Sequence, residues 1–62
     1  MQIERSIMTG RIESVLVSDA VSISRISGDD WMICLDASVL EDVHGYDAAL
    51  TRALAIDEDR RG

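Results

Sequence analysis

The fold is decided by residues 20 to 35, which read AVSISRISGDDWMICL. Over residues 20–26 apolar and polar side chains alternate, and this period of two is typical of a strand with one buried face. Residues 27–30 predict a tight turn, because glycine tolerates positive φ and aspartate can bond its own backbone. The apolar run 31–35 predicts the returning strand of an antiparallel hairpin. The alternating positions are Val21, Ser22, Ile23 and Ser24.

The residues before this hairpin predict further strands. Residues 2–8 and 11–17 both favour extended structure, and residues 9–10 suit a turn between them. A single long bent strand is the alternative for this whole segment. Residues 18–19 can turn the chain again into the hairpin. The sequence therefore predicts an antiparallel meander of three or four strands.

The hydrophobic period changes after this meander, and the next residues predict a short helix. Ser38 and Glu41 fit a capping box, in which a hydroxyl and a carboxylate satisfy free amides at a helix start. The short helix should end near His44. Gly45 then suits the left-handed position that follows a helix end.

A second, longer helix is predicted from Asp47, its N-cap, to about Asp57. Residues 58–62 are expected to form a frayed tail. The fold class is therefore α+β, in which a meander is covered on one face by C-terminal helix. Residues 1–62 form a single small domain. The apolar stripe of the longer helix consists of Ala49, Leu50, Ala53, Leu54 and Ile56.

Length and composition limit what the chain can be. Its 62 residues suffice for one domain, and 47% hydrophobic against 29% charged residues is a globular balance. The longest apolar run is too short for a membrane span and no secretory signal opens the chain, so we expect a cytoplasmic protein. The one cysteine, Cys34, cannot form an internal disulfide. A domain this small then needs tight packing or a partner subunit.

Charge is distributed unequally along the chain, whose formal net charge is −6. Residues 1–28 carry three acids and three arginines, whereas residues 29–62 carry nine acids and three arginines. These acids can be turn residues, helix caps and solubility groups, or they can form a binding surface for a cationic partner. Direct nucleic-acid binding is disfavoured, because phosphates require clustered lysine or arginine. The six acids without an intervening base are Asp29, Asp30, Asp36, Glu41, Asp42 and Asp47.

Catalysis and cofactor binding find no support in the residue pattern. Cys34 and His44 are ten residues apart, and nothing in their spacing forces the contact that a nucleophile and its base require. The acids do not match the register of a calcium loop. A structural zinc site usually draws four cysteine or histidine ligands, and the chain has only Cys34 and His44. We expect no enzyme, no catalytic residues, no cofactor and no metal site.

The two aromatic residues allow two interpretations. Trp31 follows the acidic turn and Tyr46 follows Gly45. Both can pack in the small core. Alternatively, they can anchor a partner within the acidic surface, because tryptophan and tyrosine are common at binding hot spots.

The segment from Gly28 to Asp47, GDDWMICLDASVLEDVHGYD, belongs to a short acidic chain of α+β type. In size, charge and layout the chain resembles small phage-encoded anti-CRISPR proteins. The resemblance implies a cytoplasmic inhibitor, in the host cell if phage-encoded, that occupies the DNA-binding surface of a CRISPR effector subunit by mimicking the charge of DNA. The expected partner-binding residues are Asp29, Asp30, Asp36, Glu41, Asp42, Asp47, Trp31 and Tyr46.

A different class of binding protein is the alternative. The chain can be an antitoxin-like subunit or a homodimeric structural or regulatory module that binds through strand edges or an apolar helix face. In that case the acids serve solubility. The sequence leaves the choice between monomer and homodimer open, and no membrane partner is expected.

Overall fold

Five antiparallel strands follow one another in chain order and form one sheet, with a single helix on one face. The computed structural model describes residues 1–62. It confirms the α+β class and the meander, but it contains five strands instead of three or four, and one helix instead of two. The elements are β1 Gln2–Arg5, β2 Ile12–Leu16, β3 Val21–Ser27, β4 Asp30–Leu35, β5 Ser38–His44 and α1 Tyr46–Arg61.

The hairpin of β3 and β4 forms the centre of the sheet, as the alternating pattern predicts. Ile23 lies opposite Ile33, and Val21 lies opposite Leu35. The connecting turn needs only Gly28 at positive φ, +51°, which is the pattern of a type II′ hairpin turn. Because directly opposed residues share a face, these apolar side chains all point towards α1.

The predicted short helix over residues 38–44 is wrong, since these residues form β5. Asp36 and Ala37 both adopt positive φ, 52° and 67°, and this two-residue turn places Ser38 opposite Leu35. The turn matches type I′, whose twist fits an antiparallel hairpin. Pairing with β4 satisfies the backbone groups on one side of the segment, whereas an isolated helix of this length is too short to be stable in water.

Upstream, two strands are present instead of one long bent strand, and a structured loop joins them. The Ser6 N–H donates to the carbonyl of Arg11 at 2.9 Å, and the Ser6 hydroxyl accepts from the N–H groups of Met8 and Thr9. Gly10 has a φ of +72° and its N–H donates to the carbonyl of Ser6. The strands are shorter than predicted because these local bonds use the backbone groups of residues 6–10.

Helix α1 is longer than the sequence predicts at both ends. It begins at Tyr46, so Asp47 lies in the first turn, where its charge suits the helix dipole, and it is not the N-cap. It continues through the expected frayed tail to Arg61, whose guanidinium lies 3.0 Å from the carboxylate of Asp57. That i,i+4 pair favours continuation of the helix through its last turn.

The core lies between α1 and the central strands. The helix contacts β3, β4 and β5 but neither β1 nor β2. Ala49 and Ala53 are fully buried, so the helix backbone approaches the sheet closely. The other face of the sheet has no covering layer, and α1 lacks the length and apolar content to cross a membrane. The buried apolar residues are Val15, Val17, Val21, Ile23, Trp31, Ile33, Ala49 and Ala53.

Candidate functional site

Three of the six predicted acids meet at one end of the sheet. Asp29 and Asp30 lie where β3 turns into β4, and Asp47 lies in the first turn of α1. The Gly45 N–H donates to the carbonyl of Asp29 at 2.6 Å, which ties the junction of β5 and α1 to the hairpin turn. All three acids are exposed. The chain reversals, and not their spacing in sequence, place these three residues at the same end of the sheet.

Asp42 extends this group along the uncovered face of the sheet. It lies opposite Met32, and Asp30 lies opposite His44, so the two acids are diagonal neighbours on adjacent strands. Diagonal neighbours of this kind have α-carbons about 7–8 Å apart. We call the set of Asp29, Asp30, Asp42 and Asp47 the acidic corner.

His44 is the one basic side chain that pairs with the acidic corner. Its Nδ1 lies 2.8 Å from Oδ1 of Asp30, and both side chains are largely exposed. The hydrogen bond to Asp30, then the charge of Asp30, and finally the charge of Asp29 hold the pKa of His44 above its ordinary value of 6.5. No arginine lies within ion-pair distance of the four carboxylates. The net charge of the corner therefore becomes less negative as the pH falls through the pKa of His44.

Two predicted acids lie outside this group. Glu41 is on the covered face, where its carboxylate lies 2.7 Å from Nε of Arg52 on α1. Asp36 is in the turn between β4 and β5, at the opposite end of the sheet. The prediction of one surface with six acids therefore reduces to a corner with four.

Trp31 and Tyr46 pack in and beside the core, in agreement with the first of the two interpretations. Trp31 is fully buried, and its ring centroid lies 5.2 Å from that of the partly buried Tyr46. Arg25 lies opposite Trp31 on the neighbouring strand β3, and its guanidinium is 4.7 Å from the ring centroid of Trp31. A side chain without exposed surface cannot anchor a partner, so the prediction of Trp31 as a contact residue is wrong.

Cys34 and His44 do not meet. They lie on neighbouring strands, and His44 is opposite Asp30, four residues from Cys34 along β4. That offset corresponds to roughly 13 Å. No group of three or more histidine, cysteine, aspartate or glutamate side chains is arranged to hold a metal ion. The arrangement at the acidic corner supports electrostatic binding and assembles no nucleophile with a base.

The structure also shows exposed apolar side chains that the sequence analysis did not select. Ile7 and Met8 are almost completely exposed in the loop between β1 and β2, and Met1 and Ile3 are exposed on the β1 side. Little in the sequence marks this exposure, because Ile3 and Ile7 also fit the apolar face of the predicted first strand. No known protein family, no curated protein and no solved structure matches this chain.

Proposed function

We propose that this chain is a small binding protein that places its acidic corner on the basic surface of a nucleic-acid-binding partner. The partner is a protein like a CRISPR effector subunit, and the chain inhibits this partner by mimicking the charge of DNA. The observation that carries the proposal is the set of four exposed carboxylates without an arginine partner. Single acids at turns have local explanations, but four like charges at one end of so small a fold repel one another, and this repulsion destabilises the compact state. The site of action is the cytoplasm, that of the host cell if a phage encodes the chain.

The physical basis is competition for the same positive charges. A groove that binds DNA offers lysine and arginine side chains spaced for phosphates. Carboxylates fixed on a turn, a strand and a helix start can occupy those side chains with little loss of conformational entropy. The net charge of −6 also accelerates the encounter by electrostatic steering. Such binding must weaken strongly with salt, because the Debye length falls from about 10 Å at 0.1 M to about 3 Å at 1 M.

The test compares two variants that lose the same amount of charge. The corner variant is Asp29→Asn, Asp42→Asn and Asp47→Asn, which leaves Asp30 to pair with His44. The control variant neutralises three exposed acids elsewhere, at Asp19, Glu58 and Asp59. Circular dichroism shows whether both remain folded.

Each protein is immobilised and used to capture partners from bacterial lysate at low and at high salt. A captured protein is then tested for duplex-DNA binding by fluorescence anisotropy, with and without added wild-type chain. The wild type and the control variant should capture the partner at low salt and displace it from DNA, and the corner variant should do neither. Equal capture by the corner variant, or a partner that the chain does not displace from DNA, contradicts the proposal.

A second candidate function is an antitoxin-like or homodimeric interaction module in which the acids serve solubility. The exposed apolar side chains on the β1 side favour it, because a chain that binds only through charge does not need them. The salt dependence of partner capture separates the candidates: capture of a partner that persists at high salt, and in the corner variant, supports the module.

A further inference from the structure

The two edge strands of the sheet differ in net charge. β5 carries the adjacent acids Glu41 and Asp42, whereas β1 carries the opposite charges Glu4 and Arg5 beside Ile3. Both edges expose apolar side chains, and the pairing of each with its inner neighbour is irregular at one place. Charged side chains and bulges hinder the addition of another strand. Like charges hinder it most when the same edge of two copies meets, so β1, which has no net charge, is the edge better suited to pair with a second copy.

The side of the sheet next to β1 is also left uncovered. α1 lies over β3, β4 and β5 and reaches neither β1 nor β2. Ile3, opposite Val15 on β2, is consequently 45% exposed although it faces the same side as the core. Leu54 of α1 is 42% exposed. It lies about 200° around the helix from Arg52, the residue that reaches β5, so it faces the β1 side.

We propose that a second copy of this chain pairs with β1, antiparallel, with Ile3 on the two-fold axis, and that the dimer contains one continuous ten-stranded sheet. In this register Ile3 lies opposite the partner's Ile3, Gln2 opposite the partner's Glu4, and Met1 opposite the partner's Arg5. An apolar pair thus forms on the covered face, and an amide faces a carboxylate on the other. Two neighbouring registers keep the same faces together. One puts Glu4 against the partner's Glu4 and is disfavoured by repulsion, and the other puts Gln2 against the partner's Gln2 and shortens the paired segment to residues 1–3.

Charge and size both favour a second copy as the occupant. Two chains of net charge −6 repel, and they can approach best where negative charge is lowest. Residues 1–11 carry Glu4 against Arg5 and Arg11, so this segment has no excess of acid, in contrast to residues 29–62 as a whole. The chain buries only eight apolar residues and has no disulfide. Domains of this size commonly gain the missing stability from a partner subunit.

In this register the loop between β1 and β2 begins beside the partner's Met1, because Met1 lies opposite the partner's Arg5. The hydrogen bonds of Ser6 hold this loop, with Ile7 and Met8, in shape. The acidic corner lies on β4, β5 and α1, away from β1, so it stays free in the dimer. This inference does not depend on the proposed function.

Cysteine cross-linking tests the register. In a Cys34→Ser background, Ile3→Cys should form an intermolecular disulfide under mild oxidation, since opposed residues have α-carbons about 4.5–5.5 Å apart, within the range that a disulfide spans. Glu4→Cys is the matched control. Its partner cysteine lies two residues out of register, at about 8 Å, which is beyond that range. Faster cross-linking of Glu4→Cys than of Ile3→Cys overturns the proposal.

Sedimentation equilibrium of the unmodified chain tests the dimer itself. The wild type should show a mass twice that of the 6.8 kDa chain as its concentration rises, with no loss at high salt. Ile3→Lys places two ammonium groups at the axis and should weaken the dimer at least about tenfold. Val39→Lys makes the corresponding change on the other edge strand, β5, at a 58% exposed position, and should leave the dimer intact. A wild type that stays monomeric, or a dimer lost only with Val39→Lys, overturns the proposal.

Discussion

Replacing Ala37 by glycine should stabilise the protein. Ala37 has a φ of +67° in the turn between β4 and β5. An alanine in this left-handed region costs about 1–2 kcal/mol, because its β-carbon approaches the following carbonyl oxygen. Glycine removes that cost, but its greater freedom in the unfolded chain cancels about 0.4–1 kcal/mol of the gain. The expected net increase in the free energy of unfolding is about 0.5–1 kcal/mol.

The measurement is urea denaturation followed by circular dichroism, at one fixed chain concentration because association also changes apparent stability. The corresponding rise in Tm is about 2–8 °C for a domain of this size. Ala55→Gly is the matched control, since Ala55 is exposed in the interior of α1. The same chemical change there should lower stability by about 1 kcal/mol, because glycine is a poor helix former.

The pair of variants also distinguishes the observed hairpin from the short helix that the capping box predicts. If residues 38–44 were helical, Ala37 would have no need of positive φ, and glycine there would be neutral or destabilising. A loss of stability in Ala37→Gly, in parallel with that of Ala55→Gly, would refute the assignment of β5. A gain at one position and a loss at the other supports it.

Two further predictions concern the His44 pair and the contact of helix and sheet. Asp30→Asn should return the pKa of His44 towards 6.5 in an NMR titration, and a pKa that stays raised contradicts the pairing. Because the pKa of His44 is raised on folding, protonated His44 stabilises the fold fully below pH 6.5, and this stabilisation is lost as the pH rises through the pKa of the folded state. His44→Gln should therefore remove this part of the pH dependence of the free energy of unfolding in urea. Ala53→Leu should cost about 1–3 kcal/mol by overpacking where α1 meets the sheet, whereas Ala48→Leu, on the exposed side, should change the unfolding midpoint little.

The central hairpin could be predicted because its signals are local. Alternation over residues 20–26 and the turn at Gly28 each refer to neighbours in sequence, and tertiary context reinforces them. The segment 38–44 could not be predicted in the same way. Its capping box is also a local signal, but its strand character comes from pairing with β4 across a turn formed by Asp36 and Ala37. Alanine at positive φ leaves no mark in the sequence, since Asn-Gly is the usual signal for this turn.

The wrong prediction of a helix over residues 38–44 also explains why the candidate site was only partly predicted. On a helix, Glu41 and Asp42 would lie about 100° apart and could share one surface. On a strand, consecutive side chains point to opposite faces, so Glu41 faces Arg52 and Asp42 faces solvent. Asp29, Asp30 and Asp47 do lie at the same end of the sheet, because two chain reversals fall there. Charge patterning in a sequence therefore locates a surface only when the period of each element is right.

The meander has a kinetic consequence. Every strand pairs with its neighbour in sequence, so each pairing closes a short loop and loses little chain entropy. Such low contact order leads to rapid folding, with β3 and β4 as the natural nucleus since two residues join them and both carry core side chains. We expect strands to be added outward from this hairpin in both directions, and α1 to dock over Trp31 as the last step of folding.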